Sequence, residues 1–186
     1  LFAIRTELYQ EVEKDTLLDD FIISLRVAQK GFTIQYDPEA YAIETSSASV
    51  KEELKRKIRI AAGGLQAIFR LRTLLNPFKY GVLSFQYVSH RVLRWTITPL
   101  LLPLFLLCNF ILAQTNSFYL FVLVAHLLFY IMAFVGFLLA SKELKMKVFF
   151  IPYYFCMMNY AVYRGFLRIT TNKQSAVWEK AARKSS

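Results

Sequence analysis

Two groups of side chains in this 186-residue chain have types and spacings that suit chemistry. The first is Asp19–Asp20, adjacent carboxylates just ahead of an apolar helical pattern. At a helix start such residues cap free backbone N–H groups and complement the helix dipole. At a strand-to-helix corner the same pair can offer one carboxylate as a general base while its neighbour anchors the loop. The second is RKIRIAAGGLQ, residues 56–66. Arg56 and Arg59 are three apart and Gly63 follows one turn later, so all three share a helical face. Paired guanidiniums beside a small residue can grip a diphosphate through forked, charge-assisted hydrogen bonds. A solvated basic face near anionic lipid would have the same composition. Gly63 and Gly64 interrupt an otherwise good helix and allow close approach of a ligand or another backbone.

The elements that must position these groups alternate in type. DDFIISLRVAQKG carries Phe21, Ile22, Leu25 and Ala28 on one helical face, with an acidic start and a Gly31 stop. FTIQY then alternates as a strand, DPEA makes a turn, and YAIE returns as a second short strand. Helical spacing resumes from Lys51 to Arg72 through Leu54, Ile58, Leu65 and Ile68. Helix, strand, turn, strand and helix predict an α/β edge over residues 1–76, too small for a complete domain. With no methionine or signal peptide at Leu1, the chain reads as a C-terminal fragment.

Composition predicts a different solvent for the rest. The chain is 56% hydrophobic and 16% aromatic with a mean hydropathy of +0.37, above the ~45–50% apolar content of soluble domains. Residues 96–140 carry no Asp, Glu, Lys or Arg. Residues 96–113 and 117–140 are each about long enough to span a bilayer, and they form a helical hairpin around Asn116–Ser117. A third stretch, 148–168, has basic residues on both flanks and is left open between a span and a re-entrant helix. Ahead of the hairpin, residues 77–95 repeat Val82, Phe85, Val88, Val92 and Trp95 at helical steps, which predicts an interface helix with Tyr87 and Trp95 at headgroup level. The net charge of +10 sits beside these runs and continues into a basic tail over 170–186. That distribution favours anionic lipid over nucleic acid as partner. Cys108 and Cys156 lie inside apolar runs with no metal-ligand spacing around them.

Taken in order, LLDDFIISLRVAQKGFTIQYDPEAYAIE followed by RKIRIAAGGLQ resembles the inverting, membrane-type family 2 glycosyltransferases. In that family an acidic pair opens a helix, and a Gly-aromatic strand and a "pEA…E" hairpin follow. A Q-x-x-R-W helix then precedes an interface helix and transmembrane segments. The resemblance covers nearly the whole chain. It implies the back half of a GT-A α/β catalytic domain, followed by an all-α membrane region with an interface helix and two to three membrane helices. It implies Asp20 as the general base for the acceptor hydroxyl, Asp19 as its acidic neighbour, and Arg59 as the arginine that holds the nucleotide diphosphate. Arg56 stands where the motif has Gln and Ile60 where it has Trp. That departure puts processive polymerisation in doubt. An R-K-x-R-I-x-x-G-x-x-Q variant fits more closely and brings in Gly63 and Gln66 as substrate-binding positions.

The resemblance further implies a nucleotide-sugar donor, a glycan or lipid-linked acceptor, and a catalytic part at the cytoplasmic face of a bacterial inner membrane. A divalent Mg or Mn ion would be held by the family's earlier half, since the chain shows neither a D-x-D motif nor a uridine-binding strand. On that account the fragment alone is expected to be inactive. The rival expectation is a non-catalytic membrane protein whose basic helix binds anionic lipid or a partner.

Overall fold

The computed structural model describes residues 2–43, 49–141 and 146–171. Its helices are α1 (Asp19–Gln29), α2 (Val50–Arg70), α3 (Pro77–Tyr87), α4 (Ile97–Leu112), α5 (Ser117–Ser141) and α6 (Lys147–Thr170). The basic tail falls outside the described residues from position 172 on, as do residues 44–48 and 142–145.

Local chemistry sets the ends of α1 and α2. Asp19 and Asp20 stand in the first turn of α1, where the helix dipole favours negative charge. Gly31 closes the helix with φ 87°, a left-handed conformation that glycine adopts without a Cβ clash. Its amide donates to the Ala28 carbonyl and that of Phe32 to the Val27 carbonyl, the paired bonds of a Schellman stop. Ser49 caps α2 by accepting from the Glu52 amide, and Ser-x-x-Glu is the spacing of a capping box.

The two strands expected at FTIQY and YAIE are not formed. The described residues contain no β-strand, so the α/β reading of residues 1–76 is corrected to an all-α arrangement with an exposed, irregular segment over 32–43. The DPEA turn does form, with Asp37 Oδ1 accepting from the Glu39 amide. A lone hairpin is marginal in water and needs further strands or a packed face. Here Ile34, Tyr36, Tyr41 and Ile43 all face solvent.

The core of the front half gathers Ile22 of α1, Ala67, Leu71 and Leu74 of α2 and the turn after it, and Tyr87 of α3. The apolar stripe expected on residues 77–95 divides. Val82 and Phe85 are exposed, together with a fully exposed Phe78, whereas Tyr87 (3% exposed) and Trp95 (8%) are buried against the protein instead of lying at a headgroup surface. Gly81, with φ 49°, kinks the helix between Phe78 and Val82, and a π-helical turn, Val88–Val92, lies between Tyr87 and Trp95. The π-helical turn carries an extra residue per turn and rotates everything after it, so Trp95 returns to the inner face eight positions after Tyr87.

α4 leaves this helix at a 57° bend and returns through Asn116 into α5. α5 is the one described helix long and apolar enough by itself to cross a membrane, with a mean hydropathy of 2.5 in an 18-residue window of Ser117–Ala140 and only 11% of that window buried. Pro103 in α4 has no N–H, so the Pro99 carbonyl one turn earlier lacks its helical donor. The Tyr163 hydroxyl of α6 supplies one. At Gly136, α5 lies so close to α6 that a Cβ would come within 2.2 Å of the Phe149 carbonyl oxygen. At Gly165, the far end of α6 meets α2, where a Cβ would come within 2.8 Å of the Ala62 amide nitrogen.

Candidate functional site

Asp19 and Asp20 are exposed where the chain turns into α1. Each uses one carboxylate oxygen locally. Asp19 Oδ1 accepts from the Asp20 amide at 3.0 Å, and Asp20 Oδ1 accepts from the Phe21 amide at 2.8 Å. These bonds aim the two carboxylates out of the helix start. Beside them, the Phe21 ring meets Trp95 edge-on at 5.9 Å, and the Arg91 guanidinium sits 5.0 Å from Phe21 and 5.7 Å from Trp95.

The arginine face of α2 runs towards the same place. Arg56 and Arg59 are half-buried, and Gly63 lies one turn further along. α2 passes through Gly63 and Gly64 without a break. Both glycines serve close approach, but of the chain itself. A Cβ at Gly63 would come within 2.6 Å of the Leu18 side chain, immediately before Asp19. A Cβ at Gly64 would come within 2.4 Å of the Trp95 ring. The glycine pair therefore lets the segment ahead of the carboxylates lie flat on α2 and seats Trp95 beside it.

Gln66 completes that contact. Its Oε1 accepts from the Leu17 amide at 3.0 Å, and its Nε2 donates to the Asp15 carbonyl at 2.9 Å. Arg70, one turn on, donates to Asp15 Oδ1 at 2.6 Å and to Thr16 Oγ1. Glu13 lies 2.7 Å from Arg26 and 3.6 Å from Arg70. A backbone hydrogen bond, and then Arg26, hold the Glu13 carboxyl below its ordinary range. Sequence reasoning singled out Asp19, Asp20, Arg56, Arg59, Gly63 and Gln66. The structure brings the carboxylate segment directly onto Gly63 and Gln66 and places the two arginines further along the same helix. It adds Arg70 and Arg91, which were not foreseen. Arg70 lies on the Gln66 face at four-residue spacing, a signal available from the sequence, whereas Arg91 depends on the π-helical turn.

A cleft of about 660 Å³ opens at the other end of α1, between Gly31, Phe32, Lys79 and Gln86. α1 is 11 residues long, so the cleft is separated from the carboxylates by about 16 Å of helix. Among the described residues no three His, Cys, Asp or Glu side chains converge.

Residues 1–163 match the description of glycosyl transferase family group 2. No curated protein and no solved structure matches the chain.

Proposed function

The chain belongs to glycosyl transferase family group 2, and on that premise we propose that it carries the base and the diphosphate-facing helix of a membrane glycosyltransferase. The transferase moves a sugar from a nucleotide donor to a lipid-linked or polysaccharide acceptor, with inversion. The observation that carries this reading is the seating of the Asp19–Asp20 segment on the helix that bears Arg56 and Arg59.

Asp20 accepts the proton of the acceptor hydroxyl as its oxygen attacks the anomeric carbon. The bond from that carbon to the diphosphate oxygen breaks from the opposite face, which inverts the centre. Arg59, with Arg56, offsets the charge that develops on the departing diphosphate. Asp19 accepts from the Asp20 amide and so holds the first helical turn beside the base. A divalent ion that accompanies the donor would neutralise diphosphate charge.

A bilayer setting agrees with the surface. α5 leaves apolar side chains such as Phe121 and Phe134 exposed along its length. On a soluble monomer so large an apolar surface would be an aggregation liability. Phe78, Val82 and Phe85 extend it onto α3, with Lys79 and Arg94 nearby in sequence, as suits a helix at a lipid headgroup boundary. The catalytic part then faces the cytoplasm.

The test is transfer from a panel of nucleotide sugars by the full-length enzyme in vesicles. Asp20→Asn is expected to abolish turnover with insertion intact, and Arg59→Ala to lower it by about ten- to a hundredfold. Wild-type turnover by Asp20→Asn would remove the base assignment.

A further inference from the structure

An exposed carboxylate and two arginines would suffice for the chemistry above, yet α2 also grips the chain ahead of α1 with a second set of side chains. Gln66 bridges the Leu17 amide and the Asp15 carbonyl, serving one donor and one acceptor of the same short segment. Arg70 binds the Asp15 carboxylate and the Thr16 hydroxyl between them. From the other side, Arg26 of α1 holds Glu13, and its guanidinium also reaches the Glu11 carbonyl at 3.4 Å.

We propose that Gln66 and Arg70 are positioning residues that set the place of Asp20 relative to the arginine face of α2. The proposal rests on the reading of Asp20 as the base. Leu17 is two residues ahead of α1, so any shift of Leu17 is carried straight into Asp19 and Asp20. Arg56, Arg59, Gln66 and Arg70 all project from one helix of 21 residues. The donor's diphosphate and the acceptor's base are thereby referenced to one rigid rod. A displacement of about 1 Å in such an arrangement can cost roughly a hundredfold in rate.

The energetics separate this role from plain stabilisation. Asp15 is 75% exposed, and ion pairs with an exposed partner contribute little to folding. Loss of Arg70 should therefore appear in the geometry of the carboxylates before it appears in stability. The Leu17 amide is half-enclosed and donates to Gln66, a bond that must open before that amide can exchange with water.

The experiment uses the full-length enzyme in lipid vesicles, with Gln66→Met, which keeps the side-chain length without the hydrogen bonds, and Arg70→Gln. Amide exchange in the peptide covering residues 13–20 should speed up about tenfold or more in both variants, while peptides from α5 are unchanged. With a nucleotide-sugar donor, kcat per folded enzyme should fall by roughly tenfold or more, and the donor KM should move less than about threefold. Gln66→Glu keeps the acceptor for Leu17 and should recover part of the lost kcat. A stabilising role alone would lower the yield of folded protein and leave kcat per folded molecule as in wild type. That result, or unchanged exchange over residues 13–20, overturns the proposal. Full transfer by Asp20→Asn would instead remove the base reading beneath it.

Discussion

Tyr87 stands where α1, α2 and α3 converge, and burial pushes its phenol up to about 12. The neutral phenol donates to the Ala67 carbonyl at 3.4 Å. A group whose folded value lies above its unfolded value of 10.0 contributes stability that is complete below pH 10 and lost as pH rises towards 12. Within that window the slope is at most about 1.4 kcal/mol per pH unit. Thermal unfolding between pH 8 and pH 11 should show the loss in wild type and a flatter profile in Tyr87→Phe, with a change of about 1 kcal/mol or less at pH 8. Gly64→Ala acts in the same core. Its Cβ would press on the Trp95 ring, and unfolding should register about 1–3 kcal/mol of destabilisation. What the sequence reveals at this scale is what is local. Asp19, Asp20 and Gly31 act on amides and carbonyls within a turn of themselves, so their roles as caps and stop follow from type and spacing. Gln66, Arg70 and Trp95 act on partners far away in the chain, and Gln66 reaches across 49 residues to Leu17. No local pattern announces such a contact.

Among the elements, α2 unites both halves of the candidate site. It carries one turn of small residues, Ala61 to Gly64, between the Arg56–Arg59 pair and the Gln66–Arg70 grip. Its helical spacing was legible, as were the apolar runs of α4 and α5, because a period of 3.6 or an unbroken apolar run is a property of the segment itself. The two expected strands fail for the complementary reason. Alternation in FTIQY describes a fitting pleat but not a partner, and strand formation requires the partner. The inward return of Trp95 likewise hinges on one π-helical turn, and Gly81, with φ 49°, breaks the helix between Phe78 and Val82; periodicity alone marks neither. α4 depends on a neighbour in another way. Its Pro103 strips the Pro99 carbonyl of a helical donor, and Tyr163 of α6 replaces it. Tyr163→Phe should leave that carbonyl unpaired and destabilise the α4–α6 contact by about 1–3 kcal/mol. A thermal scan in detergent would read this as a lowered midpoint, and an unchanged midpoint would mean that another group serves Pro99.

At the scale of the whole molecule, the decisive contact joins the arginine-bearing helix to the apolar bundle. Met157, Ala161 and Gly165 repeat every four residues along α6 and are buried, and at Gly165 the two helices meet backbone to backbone. α6 therefore joins α5 at one end and α2 at the other, and the carboxylate segment seated on α2 is tied to the apolar helices through it. This geometry fixes the height of the site above the bilayer proposed here, so an acceptor held in lipid would meet the base at a constant depth. A Cβ at Gly165 would lie 2.9 Å from the Ala61 Cβ, inside the ~3.5–4.5 Å of a disulfide, and 2.8 Å from the Ala62 amide nitrogen, so the two helices must part slightly for a bridge to form. In a background with Cys108 and Cys156 replaced by serine, Ala61→Cys with Gly165→Cys should cross-link on mild oxidation. The same cysteine at Lys51, ten residues away on an exposed part of α2, should not. The bridged enzyme should transfer sugar at the rate of its reduced form, because the bond closes a contact already made. Failure to cross-link would separate α2 from α6. Cross-linking with reversible loss of transfer would show that the two helices must slide apart during turnover, and the site would then be set by motion of α2 over the membrane helices instead of by their fixed contact.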